Sequence, residues 1–313
     1  NNESIEKEKE KTKELADEAL EEEKSLLSLI KRYNELDKTD RSTENTENIK
    51  NLNSEINNIL GDQAEKIDLV NGKLDEQSDK LRRNLLQKLE DDKTEIDASV
   101  SVAKGKYDEG AEVGSFFDGW GNIGNVLKKY GATGISKNSK DGRIEVNKAN
   151  VGAVLKSLNT EQQIQQLEEW IELLNKADKD AGIGTYKDEI SSLMGKLNEA
   201  KKIKSDYDKA LSTQKENETK RKILNDSISG KINDFSAFEK YRNEIEKTYN
   251  DNSVFRDQML DFIDNIYPEY AEKVKNTVNA VKNSSPISFS EKWNKLKESE
   301  QNSLKKEVLE GVL

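Results

Sequence analysis

The sequence predicts an all-α protein of elongated amphipathic helices and helical hairpins, with a short β-hairpin in a small Gly-rich central region. Hydrophobic residues make up only 33% of the 313 residues and charged residues 36%, against about 45–50% and 25% in average soluble domains. Apolar residues recur at intervals of three and four along most of the chain. Residues that favour strands are scarce. The core must therefore be thin, as in helices that bury one stripe and expose the rest.

The first predicted region, residues 1–104, is a helical hairpin or coiled-coil-like layer. Its first helix, over residues 3–37, has an apolar seam that is broken at Glu22, and its early part is almost entirely charged. Such a charged segment predicts a solvated helix. A shorter helix ends at Gly61, which suits a helix C-terminus. A third apolar series of helical period starts at Ile67.

The central region, residues 105–158, is Gly- and aromatic-rich and holds most of the 17 glycines of the chain. An Asp141-Gly142 turn precedes the alternating run at residues 143–146, which predicts a small β-hairpin. A short helix over residues 149–157 is expected to follow it. This region departs from the helical pattern of its neighbours and is the part in which a loop-borne site would be sought.

The stretch "FFDGWGNIGNVLKKYG" contains Gly119, Gly121 and Gly124 in the spacing G-x-G-x-x-G. A dinucleotide site would need a buried strand before the first glycine, and the preceding "KGKYDEGAEVGSFFD" is not one. A kinase would need a histidine-containing catalytic loop. We therefore expect the glycines to let the chain turn, anchored by a local core. The expected anchors are Phe116, Phe117, Trp120, Ile123 and Tyr130.

Helices resume in the last two predicted regions. Residues 159–226 are expected to form an α-hairpin of helices over 160–177 and 186–224, the first opened by a Thr160-x-x-Gln163 capping box. Residues 227–313 are expected to form a compact bundle of short helices. One of these would be capped by Ser236-x-x-Glu239, and another would carry Pro268 in its first turn.

The chain contains neither cysteine nor histidine. Disulfides, Cys/His zinc sites and mechanisms with an imidazole base are therefore excluded. We predict that the protein is not an enzyme and that it has no catalytic residues, no cofactor and no metal site. A carboxylate hydrolase remains as an enzymatic alternative, which a pocket that brings two acids together would favour.

Three charged motifs could suggest a binding site. The acidic run at residues 90–92 could suggest a cation site, but acid runs in so charged a chain are usually a solvated face. The stretch "DKDAGIG" at residues 178–184 is similar to a calcium loop but lacks the EF-hand spacing of acids. The adjacent Arg82 and Arg83 are expected to pair with helix acids such as Glu76 or Asp79.

The net charge is −11 and the pI is about 5.0. Nucleic-acid binding and attraction to anionic membranes both need clustered basic residues, so neither partner is expected, and no small-molecule substrate is expected. No run of 18 apolar residues exists to cross a bilayer. The start, "NNESIEKEKEK", has no initiator Met and no signal-peptide core, which predicts a fragment of a longer protein.

The segment "LLSLIKRYNELDKTDRSTENTENIKNLNSEINNILGDQAEKIDLVNGKLDEQSDKL" resembles helical body segments of tail tape measure proteins from phages and prophages of low-GC Gram-positive bacteria. The phrase "GDQAEKIDLVNGKLDEQ" at residues 61–77 carries most of this likeness. The last stretch, "ISFSEKWNKLKESEQNSLKKEVLEGVL", is similar to segments that these proteins place further along. The resemblance brings no invariant signature and no catalytic residues.

This resemblance implies a structural protein of the virion tail. It would lie in the tail lumen, set tail length by its own length and leave during DNA ejection. Its partners would be other tail proteins and further copies of itself. The alternative is a helical interaction or spacer module of an exported or surface protein, such as a carrier domain of a toxin or a spacer of an adhesin.

Overall fold

The computed structural model of the chain describes residues 2–36, 42–61, 66–69, 74–114, 117, 121–132, 151–282 and 301. Within these ranges the regular structure is helical and no residue lies in a strand, so the all-α prediction is confirmed. The β-hairpin predicted at residues 141–146 lies outside the described residues. The described helices are α1 (Asn2–Glu35), α2 (Thr43–Leu60), α3 (Leu74–Glu109), α4 (Gly121–Lys129), α5 (Val151–Lys156), α6 (Thr160–Ala181), α7 (Lys187–Ile228), α8 (Phe235–Thr248), α9 (Ser253–Ile266) and α10 (Pro268–Lys282).

The chain divides into two compact units. The first unit comprises residues 1–12 and 96–214, and the second comprises residues 13–95 and 215–313. The boundaries between the units fall inside α1, α3 and α7. The four continuous regions that the sequence suggests remain a prediction, because each unit combines segments from more than one of them.

Side-chain caps fix where several helices begin, and two of them differ from the predicted ones. Helix α6 starts with a capping box formed by Asn159 and Gln162, not by Thr160 and Gln163. The Gln162 amide donates to Asn159 Oδ1 at 2.9 Å, and the Asn159 amide donates to Gln162 Oε1 at 3.2 Å. Helix α8 is capped by Asp234, whose Oδ1 accepts the Ala237 amide at 2.7 Å. The predicted Ser236-x-x-Glu239 cap is therefore wrong.

The helical series expected from Ile67 onward begins only at Leu74. The Ile67 backbone instead bonds to a side chain of α2: its amide donates to Asn57 Oδ1 at 2.9 Å, and Asn57 Nδ2 donates to its carbonyl at 2.8 Å. Ile67 is still buried. The helix predicted from Ile67 is therefore wrong over residues 67–69, because the apolar spacing of a single buried residue fits either conformation. Gly61 ends α2 with a φ of 77°, as predicted.

The core of the second unit joins α1, α2 and α3 to the helices after residue 215. Its fully buried members come from both ends of the chain and include Leu26, Ile30, Ile56, Leu85, Leu89, Leu224, Phe238, Met259, Phe262 and Ile263. Aromatic residues concentrate here, with Tyr267 stacked on Tyr270 at a ring-centroid distance of 5.7 Å. Contacts between residues so distant in sequence are formed only in the folded unit.

The first unit is built on the hairpin of α6 and α7. Lys201 pairs with Glu168 at 2.8 Å and Lys204 pairs with Glu161 at 2.5 Å, so the two helices run antiparallel, as predicted. The turn between them uses Gly182 and Gly184 at φ values of 111° and 96°, which disfavour any residue with a Cβ. Trp170, Leu167 and Leu174 of α6 are fully buried beneath α4 and α5.

The two described glycines of the G-x-G-x-x-G stretch lie in a helix and not in the turn that we expect from the sequence. Gly121 begins α4 and Gly124 lies inside it, whereas Gly119 is outside the described residues. Phe117 and Ile123 do belong to the buried core of the first unit. Phe116 and Trp120 lie outside the described residues, and Tyr130 is only half-buried.

Gln163 links three segments of the first unit through one buried amide. Its Oε1 accepts the Ala111 amide at 2.7 Å, and its Nε2 donates to the Leu155 carbonyl at 2.9 Å and the Ala111 carbonyl at 3.2 Å. Gly110, at a φ of 76°, lies so close that a Cβ there would be 2.6 Å from the Gln163 amide nitrogen. The end of α3 is thereby held against α5 and α6.

We expect Gln163→Leu to destabilise the chain by roughly 2–4 kcal/mol, because it leaves buried backbone groups without partners. Urea unfolding followed by circular dichroism would measure the change. Gln165→Leu is the matched control, since Gln165 is exposed two residues further along the same helix and its substitution should change stability by less than about 0.5 kcal/mol. Equal effects of the two substitutions would contradict the assigned role of Gln163.

Candidate functional site

Charged side chains converge inside the second unit, where α1, α3 and α7 meet. We call this group the Lys220 cluster. Its members are Glu22, Glu23, Lys88, Asp92, Glu216 and Lys220. Charged side chains are seldom fully buried unless they are paired, so this cluster is the most unusual chemistry among the described residues.

Lys220 is the centre of the cluster. Its ammonium donates to Glu23 of α1 and to Glu216 Oε1, the latter at 2.6 Å. The side chains of Lys220 and Glu23 are each only 5% exposed. The Lys220 nitrogen also lies 5.6 Å from the centroid of the Phe262 ring, within the range of a cation–π contact. One ammonium therefore joins α1 to α7 and contacts α9.

Lys88 carries the second positive charge. Its nitrogen donates to Glu22 Oε2 at 2.5 Å and lies 3.9 Å from Asp92 Oδ1. Next to it, Asn217 Nδ2 donates a hydrogen bond to the Leu89 carbonyl at 3.0 Å. The cluster thus holds four acids against two cations, and one acid, Asp92, has only a distant partner.

Burial and the excess of acids shift the protonation of the cluster. Burial raises the pKa of Asp92 to about 6, the nearby Glu23, Glu95 and Glu22 add to the rise, and Lys88 opposes it. Burial also raises the pKa of Glu23, although Lys220 counteracts it. Burial by itself would lower the pKa of Lys220, but Glu23 and Glu216 outweigh it and the pKa is raised. The distinguishing chemical property of this site is a carboxyl group, that of Asp92, whose pKa is about 6.

The cluster was missed from the sequence, although a signal for it exists. Ala16, Ala19, Glu23 and Leu26 are spaced three, four and three apart, so Glu23 falls on the buried stripe of α1. Asp92 likewise falls between Leu89 and Ile96 on α3, and Lys220 between Asn217 and Leu224 on α7. The sequence analysis places the break of the α1 seam at Glu22 and interprets acid runs as a solvated face, so it does not single out Glu23. A charge at a stripe position on each of three helices was the available clue.

Arg82 holds a second polar contact of the same unit. Its Nη1 pairs with Asp79 at 2.7 Å, which confirms the predicted pairing with a helix acid. Its Nη2 also donates to the Ile266 carbonyl at 3.1 Å, and the guanidinium lies 4.2 Å from the centroid of the Tyr267 ring. The arginine therefore caps the last turn of α9 in addition to forming a surface pair.

The acidic motifs have structural explanations in the described part of the chain. Of residues 90–92, Asp92 belongs to the Lys220 cluster and Asp91 accepts Gln87 Nε2 at 2.8 Å. In the stretch 178–184, Asp178 accepts the Gly184 and Tyr186 amides at 2.8 and 2.7 Å. Those backbone bonds lower the pKa of Asp178 and close the α6–α7 turn. Among the described residues no group of three or more acids is arranged to hold a metal ion.

The chain matches no protein-family model, no curated protein and no solved structure. Within the described ranges, none of the helices has the length and apolar character needed to cross a bilayer. The prediction of no catalytic, cofactor or metal residue remains a prediction.

We expect Asp92→Asn to stabilise the chain at pH 8 by roughly 1–3 kcal/mol and to have little effect below pH 4. The folded pKa of Asp92 is about 6, against an ordinary value of 3.8. Below 3.8 both states hold the proton, whereas above 6 the fold must bury an ionised carboxylate. The stability contribution of the protonated group is therefore lost as the pH rises through 6.

Urea unfolding of both proteins from pH 4 to pH 8 would measure this difference. Asp91→Asn removes the same charge from the exposed neighbouring position and serves as the control. A stability difference for Asp92→Asn that does not change with pH would contradict the buried position of this carboxyl group.

For the Lys220–Glu23 pair, we expect the two single substitutions to cause unequal losses of stability. Lys220→Met should destabilise the chain by roughly 3–5 kcal/mol, because it leaves Glu23 buried without its cation. Glu23→Leu should destabilise it less, since Lys220 keeps Glu216. Lys220→Met combined with Glu23→Leu should recover most of the loss. Denaturant unfolding of all four proteins measures the cycle, and additive losses would argue against the pair.

Proposed function

We propose that the chain is a structural segment of a phage tail tape measure protein, which occupies the tail lumen and sets tail length. The observation that carries the proposal is the presence of three long, largely polar helices of 34, 36 and 42 residues. At a rise of about 1.5 Å per residue, the longest would span roughly 63 Å. Length in such a chain comes from helices, which is what a molecular ruler needs.

The distribution of charge supports the same role. A ruler that leaves through a narrow tube must unfold or extend with a small input of free energy. The second unit buries an acid-rich cluster, and Asp92, with its pKa of about 6, opposes folding at neutral pH. A thin core and buried charges both keep the net stability modest. The buried charges specify how the helices align, while the free energy of unfolding stays small.

A second candidate is a helical spacer or interaction module of an exported or surface protein. The same long polar helices favour it, because a spacer also needs length more than a deep core. The two candidates differ in where the chain is found: a tape measure protein is a component of the virion, and a spacer module is not.

The test is tail length in phage particles that carry an in-frame deletion of residues 160–224. If the chain measures length as an α-helix, tails should shorten by up to about 100 Å, from 1.5 Å per residue removed. Electron microscopy of purified tails would measure it. Tails of unchanged length would contradict a ruler role for this segment.

Leu167→Asp is the matched control. It places a charge at a fully buried position of the first unit without changing the length of the chain. A ruler that depends on chain length predicts tails of normal length for this variant, whereas a requirement for the folded unit predicts the same defect as the deletion. Absence of the protein from virions by mass spectrometry would favour the spacer module.

A further inference from the structure

We propose that α6 and α7 of the first unit present a self-complementary surface through which two copies of the chain associate in an antiparallel arrangement. The surface is a shallow groove of about 560 Å³ along the two helices. Ile171 and Leu197, which line it, are only half-buried. Met194, three residues before Leu197 on the same face of α7, is 50% exposed and extends the apolar strip.

The charges that line the groove are separated by sign along α6. Glu168 and Glu172 lie toward the start of the helix, and Lys176 and Lys179 follow toward its end. Glu168 pairs with Lys201 at 2.8 Å, with both side chains half-exposed. Glu172, Lys176 and Lys179 are exposed, and within the described part of the chain they take part in no ion pair. Three charges beside an apolar strip are therefore available to a partner.

The order of these charges selects a second copy as the partner. When two such helices pack antiparallel, the acidic half of each faces the basic half of the other, and every attractive pair occurs twice. A parallel arrangement would instead place like charges together, which is unfavourable. Asn175 lies between the acidic and the basic residues on α6, so the two-fold axis would pass near it.

This association goes beyond the proposed function, because it depends only on the first unit and would hold equally for a tail protein or a surface spacer. It would align two chains side by side in opposite directions along their long helices. The failure of either tail-length experiment would leave it unchanged, and its own test uses only the purified chain.

The test compares two double variants of the full-length chain by sedimentation equilibrium. Glu168→Lys with Glu172→Lys makes the groove wholly basic, and Lys176→Glu with Lys179→Glu makes it wholly acidic. Each variant alone should associate at least about tenfold more weakly than the original chain. An equal mixture of the two should recover association as a heterodimer, because every facing pair is then attractive.

Glu218→Lys with Glu244→Lys is the control, since it makes the same change in net charge as the basic variant at exposed positions of the second unit. It should associate like the original chain. The proposal is overturned if the original chain is monomeric at about 100 μM, a concentration at which even a weak interface would be seen. It is also overturned if the single-sign variants associate normally or if their mixture does not recover association.

A second measurement does not depend on the charge variants folding. The chain has no cysteine, so a single Asn175→Cys places the only thiol in the middle of the groove. Mild oxidation should link two copies through this thiol, because a disulfide forms only where two Cβ atoms approach closely. Ser205→Cys, exposed on α7 outside the groove, should link far more slowly. Equal rates would overturn the proposal.

Discussion

The contact of Lys220 with Glu23 and Glu216 is the interaction on which the alignment of the second unit depends. These three residues lie on α1 and α7, helices that are far apart in the chain, and the same ammonium faces the Phe262 ring of α9. An apolar contact tolerates sliding between helices, whereas a buried ion pair tolerates little, because displacement leaves a charge without a partner. Such a pair can add little net stability and still penalise the displacement of one helix along the other.

In the first unit, a neutral side chain connects the segments that pack together. Gln163 satisfies backbone groups at the end of α3 and at α5, and Gly110 allows the close approach that this needs. Both units thus place one polar side chain at the junction of three segments.

These features bear on a structural role. Long helices provide extent, polar junctions provide register, and a carboxyl group with a pKa of about 6 makes the second unit sensitive to its surroundings near neutral pH. The proposed ruler would have to hold a defined length and later leave its position, which requires order without great stability. A surface with acids at one end and lysines at the other adds a means of pairing chains, for which α6 supplies both signs of charge.

The all-α class, the hairpin of α6 and α7, the end of α2 at Gly61 and the pairing of Arg82 with a helix acid could all be predicted from the sequence, because helical period and local spacing are properties of neighbouring residues. It misplaced the caps at Thr160 and Ser236, since several nearby polar residues could each accept the same amides. The meeting of Glu23, Asp92 and Lys220 could not be predicted from the sequence and is visible only in the folded unit. Each occupies a stripe position on its own helix, but whether a charge there is solvated or buried depends on which other helix packs over it.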